Sequence, residues 1–82
     1  MAMTSGDFHV VARYVADLAI SATDIRTNQM FSAVEVYLDP AKSEDPVAAC
    51  DSLAQALGRA GYLWDVWRPT RYVIAVTERR QE

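Results

Sequence analysis

Residues 62–77, YLWDVWRPTRYVIAVT, set two apolar arms on either side of a short Arg-Pro-Thr-Arg segment. Proline presets φ at the first central position of a turn, and β-branched and aromatic residues suit a pleated surface, so the stretch predicts a β-hairpin. With Trp67 opposite Tyr72, the register pairs Val66 with Val73, Trp64 with Ala75 and Leu63 with Val76. One face then carries Leu63, Trp67, Tyr72, Ile74 and Val76, and the other Tyr62, Trp64, Val66, Val73 and Ala75. A hairpin half in water alternates apolar with polar side chains; this one is apolar on both faces and needs cover on both.

Cover has to come from the preceding residues. Asp45-Pro46 opens a clear helix, because aspartate accepts the first free amides and proline at the first helical position forfeits no hydrogen bond. Val47, Cys50, Leu53, Ala54 and Leu57 share one face of it, and Gly61 is placed to end it just before the hairpin. Upstream, residues 30–38 alternate, with Met30, Val34, Val36 and Leu38 on one side and Phe31, Ala33, Glu35 and Tyr37 on the other. This predicts a strand, stopped at Asp39-Pro40.

Residues 8–20 fit two templates. At period two every even position is apolar, from Phe8 through Val10, Ala12, Tyr14, Ala16 and Leu18 to Ile20. At period 3.6, Phe8, Val11, Ala12, Val15, Leu18 and Ala19 line one helical face, which Asp7 could cap. The unbroken alternation and the pairs Val10-Val11 and Tyr14-Val15 point to a strand; the helix is the alternative. Residues 21–29, SATDIRTNQ, are rich in side chains that bond to nearby backbone and read as a connection. Their polar cluster of Asp24, Arg26, Thr27 and Asn28 is the place for a binding loop, if there is one.

Together these predict one small α+β domain over residues 1–82, with residues 1–7 and 79–82 loose. Its plan is a ββαββ two-layer sandwich: a four-stranded antiparallel sheet with one helix, partially ferredoxin-like. If residues 8–20 are helical the order becomes αβαββ. At 82 residues the core is small and oligomerisation is a common supplement. One helix cannot cover both faces of four strands, so several of Val11, Val15, Phe31, Ala33, Tyr37, Tyr62 and Trp64 are expected to gather on an uncovered face. A large apolar patch marks a contact site, and tyrosine and tryptophan favour interface centres.

The expected function is therefore a small non-enzymatic protein-protein interaction module, acting through an apolar aromatic sheet face. It would serve as an inhibitor, adaptor or assembly subunit, phage and mobile-element accessories included. Its partner would be another protein or a second copy in a homodimer. The partner-binding candidates are Phe31, Tyr37, Tyr62, Trp64, Trp67, Arg68 and Arg71. The alternative is a single-stranded nucleic-acid binder, in which Arg68, Arg71, Arg79 and Arg80 neutralise phosphate beside stacking aromatics. A formal charge of −3 weighs against that alternative and against an anionic membrane.

No catalytic, cofactor or metal site is expected. His9 is the single histidine and has no nucleophile motif to serve. Cys50 lies on the apolar helix face, where a thiol behaves as a small hydrophobe. No phosphate-binding glycine loop or metal-ligand spacing appears. With one cysteine, no apolar run near the ~20 residues of a membrane span and no basic-then-apolar leader, the expected location is the cytoplasm.

Overall fold

The computed structural model describes residues 4–30, 32–42 and 45–78. Along the chain run α1 (Ser5–Asp17), β1 (Ala22–Asn28), β2 (Ala33–Leu38), a short 3-10 turn (Pro40–Lys42), α2 (Pro46–Arg59), β3 (Trp64–Thr70) and β4 (Val73–Glu78). The four strands form one antiparallel sheet in the order β1-β2-β4-β3. The class is α+β, with two helices where one was expected.

Residues 8–20 are the first correction: the strand reading gives way to the helical alternative, because they belong to α1 and the turn after it. The helix begins earlier than the alternation does. Thr4 is its N-cap, accepting from the Asp7 amide at 3.2 Å, while the Asp7 carboxylate accepts from the Thr4 amide at 2.9 Å. This reciprocal pair satisfies two amides at the helix start. Residues 5–7 thus belong to the helix, and Asp7 sits in its first turn, not at the cap. Val11 and Val15 face the core, at 0% and 4% exposure.

The helix ends as the left-handed Ala19 (φ 55°) turns the chain. Ala19 donates its amide to the Ala16 carbonyl at 3.0 Å and Ile20 donates to Val15 at 3.0 Å. α2 closes with the same pair of bonds: Gly61 to Gly58 at 3.1 Å and Tyr62 to Leu57 at 3.1 Å, with Gly61 at φ 91°. Its start is as the sequence predicts, the Asp45 carboxylate accepting from Val47 and Ala48 at 3.0 and 3.3 Å ahead of Pro46.

The second correction concerns residues 21–29, which contain strand β1. Its sequence, ATDIRTN, is polar because β1 is an edge strand with little to bury, Ile25 being its one large apolar residue. Charge on an edge strand is an ordinary way to discourage further pairing. Strand β2 starts at Ala33, and Met30 lies in the connecting turn with 85% of its surface exposed. Phe31 lies outside the described residues, as do residues 79–82.

The hairpin exists, but its turn and register differ from expectation. Thr70 pairs with Val73, so Arg71 and Tyr72 make the turn and Pro69 stays within β3. The ladder shifts between Trp67 and Thr70, and proline is tolerated there because a bulge on an edge strand needs no amide from it. Trp67 consequently stands opposite Ala75, not Tyr72, and Val66 opposite Val76. A displacement by an odd number of residues exchanges the faces: Trp64, Val66, Ile74 and Val76 share one side, and Trp67, Val73 and Ala75 the other.

Both helices pack on the first of these sides. Val11, Val15 and Ile20 join Val34, Val36 and Leu38 of β2, Ala49, Cys50, Leu53 and Leu57 of α2, and Ile74 and Val76 of β4 in one continuous core. Partly buried Phe8, Tyr14, Ile25, Tyr62, Trp64, Val66 and Tyr72 close around it. The N-terminal helix therefore supplements α2 and leaves the opposite face of the sheet to its own side chains.

Candidate functional site

Strand alternation decides what lies on the open face. From β1 come Asp24, Arg26 and Asn28; from β2, Ala33, Glu35 and Tyr37; from β4, Val73, Ala75 and Thr77; from β3, Asp65 and Trp67. The pairings arrange them in cross-strand rows. The middle row reads Arg26, Glu35, Ala75, Trp67; one flanking row reads Asn28, Ala33, Thr77, Asp65, and the other Asp24, Tyr37, Val73, Thr70. The face is thus divided: Asp24, Arg26 and Glu35 put charge along β1 and β2, while Val73, Ala75 and Trp67 form an apolar strip on β4 and β3 with Asp65 and the threonines at its ends.

Ala33 and Ala75 are 4% and 2% exposed although no second layer among the described residues covers them. Each is a small residue between larger row neighbours, Asn28 and Thr77 for Ala33, Glu35 and Trp67 for Ala75. The result is a shallow floor with taller side chains around it. Trp67 rises from it with 48% of its surface in solvent.

The charged half is tied together. Arg26 Nε donates to Asp24 Oδ2 at 2.5 Å, and its guanidinium carbon lies 5.2 Å from the centre of the Tyr37 ring. Tyr37 in turn donates its hydroxyl to Glu35 Oε1 at 3.1 Å. The Arg26 hydrogen bond holds the Asp24 carboxyl below the usual carboxylate range. The Glu35 hydrogen bond raises the Tyr37 phenol, because it favours the protonated form. Asp24 Oδ1 also accepts from the Ile25 amide at 2.9 Å, so an amide of edge strand β1 is occupied by a side chain of its own strand.

The expected partner-binding residues divide among three places. Tyr37 and Trp67 are on the open face, separated by β4. Tyr62 and Trp64 are on the helix side, stacked on each other with centroids 4.4 Å apart and packed against the core. That placement corrects the expectation that they would line the uncovered face; Val11 and Val15 leave it for the same reason. Arg68 is exposed on the helix side of β3, where its charge reaches Cys50, and Arg71 lies in the hairpin turn with its guanidinium carbon 5.5 Å from the Tyr72 ring centre. The arginine and aromatic residues of the hairpin are thus dispersed over both faces and the turn.

Asp24, Arg26 and Asn28, read as a loop cluster, stand instead on a strand, while Thr27 turns to the other side. Sequence reasoning missed Val73 and Ala75 as partners of Trp67, since only the true register brings them beside it. The alternation D-x-R-x-N was the available signal for β1.

His9 is exposed on α1, its ring edge-on to Phe8 at 5.7 Å. Burial raises the pKa of the Cys50 thiol, which is 8% exposed. Among the described residues, no group of three His, Cys, Asp or Glu side chains converges as a metal site, and no helix is long and apolar enough to cross a membrane. No family model, curated protein or solved structure matches the chain.

Proposed function

We propose that this chain is a non-enzymatic interaction module that docks on a protein partner through the open face of its sheet. One observation carries the reading: both helices lie on the same side, leaving Trp67, with Val73 and Ala75 beside it, on a face with no second layer among the described residues. A half-exposed tryptophan beside a small-residue floor is the kind of anchor on which interface energy concentrates.

The sheet edges support the same reading by elimination. β3 carries Pro69 and a bulge, and the Asp24 carboxylate occupies the Ile25 amide of β1. Both devices hinder an added strand. With strand addition hindered at the edges, the face is the part of the sheet open to a partner. Its carboxylates, Asp24, Glu35 and Asp65 against the one cation Arg26 among the described residues of the face, favour a protein over a phosphate backbone. The element order αββαββ is also that of a βαββαβ chain whose first strand has been carried to the end, which supports a ferredoxin-like relation by circular permutation. That relation implies no activity.

A photo-crosslinking amino acid at position 67, compared with one at exposed Gln55 on α2, tests the reading in the native cell. Protein adducts from position 67 and none from position 55 are expected. No adduct at 67, or equal adducts from both positions, would overturn it.

A further inference from the structure

Resting on that reading, we infer that the occupant of the open face is a second copy of the chain, related by a twofold axis that runs parallel to the strands. Area allows it. Four strands ~4.8 Å apart and about six residues long at ~3.3 Å each make a face of roughly 400 Å². Taken flat, two such faces bury about 800 Å² in total, below the ~1,200 Å² of standard stable complexes and in the range of weak self-association. The interface is therefore a modest one, and a self-complementary patch closes as a dimer.

The order of side chains selects the axis. A twofold along the strands reverses each row over itself, setting β1 of one protomer above β3 of its partner. In the middle row Arg26 then meets the partner's Trp67, and Glu35 meets the partner's Ala75, in both copies at once. A guanidinium over an indole ring is favourable, and a long side chain fills the hollow above a small one. In the flanking rows Tyr37 falls on Val73 and Asn28 on Asp65, and no like charges are opposed.

A twofold across the strands fails the same test. It would lay each strand on its own copy and set Arg26 against Arg26 and Glu35 against Glu35. Like charges directly opposed cost energy on a sheet. Charge and size along a single row thus distinguish the two symmetric packings.

Light scattering on the purified chain over a dilution series tests the inference, with circular dichroism as the check on folding. The expected mass rises with concentration from one chain to two. Trp67→Lys, which sets a cation against the partner's Arg26, should weaken the dimer at least tenfold. Arg26→Glu combined with Trp67→Lys should restore most of the association, because the new ion pair forms in both copies. A chain that stays monomeric, a dimer indifferent to Trp67→Lys, or a double variant no better than the single one would overturn the inference. The crosslink at position 67 separates this failure from that of the docking reading. An adduct with a different protein keeps docking and removes the second copy, whereas no adduct removes both.

Discussion

The amide of Ile20 donates to the carbonyl of Val15 at 3.0 Å and closes helix α1, as the amide of Tyr62 closes α2 on Leu57 at 3.1 Å. Both helices end in the two-bond motif that requires a left-handed residue just past the cap. In α2 that residue is Gly61; in α1 it is Ala19, at φ 55°. The apolar residues that follow, Ile20 and Tyr62, both fold back on the core.

The difference predicts opposite responses to exchange. Ala19→Gly should stabilise the fold by about 0.5–1 kcal/mol, since relief of left-handed strain outweighs the extra freedom of glycine in the unfolded chain. Gly61→Ala should cost about 1 kcal/mol through the backbone alone. An added Cβ there meets nothing within 4 Å. Urea denaturation midpoints read both changes.

Thr4→Ala removes one bond of the reciprocal cap on α1 and Asp45→Ala the cap of α2. Each should cost about 1 kcal/mol. The two sites share no partner, so the double variant should lose close to the sum. A coupling well beyond ~0.5 kcal/mol in denaturation experiments would contradict independent caps.

Asp24 titrates below the usual carboxylate value because Arg26 holds its charged form. A depressed folded-state pKa contributes stability above the unfolded value, ~3.9, that fades as pH falls through the lower folded one. Both side chains are well exposed, so the effect on folding is small. The carboxyl itself should report clearly: NMR titration should show the Asp24 midpoint return toward its ordinary value in Arg26→Ala. In Asp24→Ala the Ile25 amide loses its acceptor on edge strand β1, and light scattering should show species growing past the dimer.

Burial raises the Cys50 thiol pKa, which sets a window at the alkaline end. Below the unfolded thiol value, ~8.5, both states carry the proton and the fold keeps its full stability. Above it the unfolded chain ionises first, and stability declines until the folded thiol ionises too. Thiol-reactive dye should label native Cys50 far more slowly than denatured chain, and the denaturant midpoint should fall from pH 8 to pH 10.

Leu53→Ala and Trp67→Ala should separate core from face. Leu53 is fully buried, and its truncation should cost about 2–5 kcal/mol through the cavity it leaves. Trp67 is half in water within a single subunit, so its loss should change monomer stability by less than about 1 kcal/mol while lowering self-association. Thermal unfolding of dilute protein measures the first quantity without the second.

Helix α2 was legible because Asp45-Pro46 and Gly61 announce its two ends chemically. Strand β2 was legible in its interior, where Val34, Val36 and Leu38 alternate with Glu35 and Tyr37, and misjudged at its start. α1 was misread because its apolar residues satisfy both periods; the deciding signal was Thr4 three residues ahead of Asp7, upstream of the alternating stretch. β1 was missed because an edge strand with one face in water needs only Ile25 as its apolar anchor. The contact face was legible as a surplus of apolar surface but not residue by residue. Choosing Arg71-Tyr72 over Pro69-Thr70 as the turn moved Trp64 inward and Trp67 outward, and a bulge beside a proline leaves no clear mark in composition.

Strand β4 is hydrogen-bonded to β2 on one side and β3 on the other, although it follows both in the chain. Until residues 73–78 are in place, β3 has no neighbour to pair with, and α2 spans a gap where the sheet should be. During synthesis the β1-β2 pair can form first, but the second hairpin and the join between the two wait for these last residues. A nascent chain stopped before Val73 should accordingly be open to proteases across α2 and β3, which have no completed sheet to pack on.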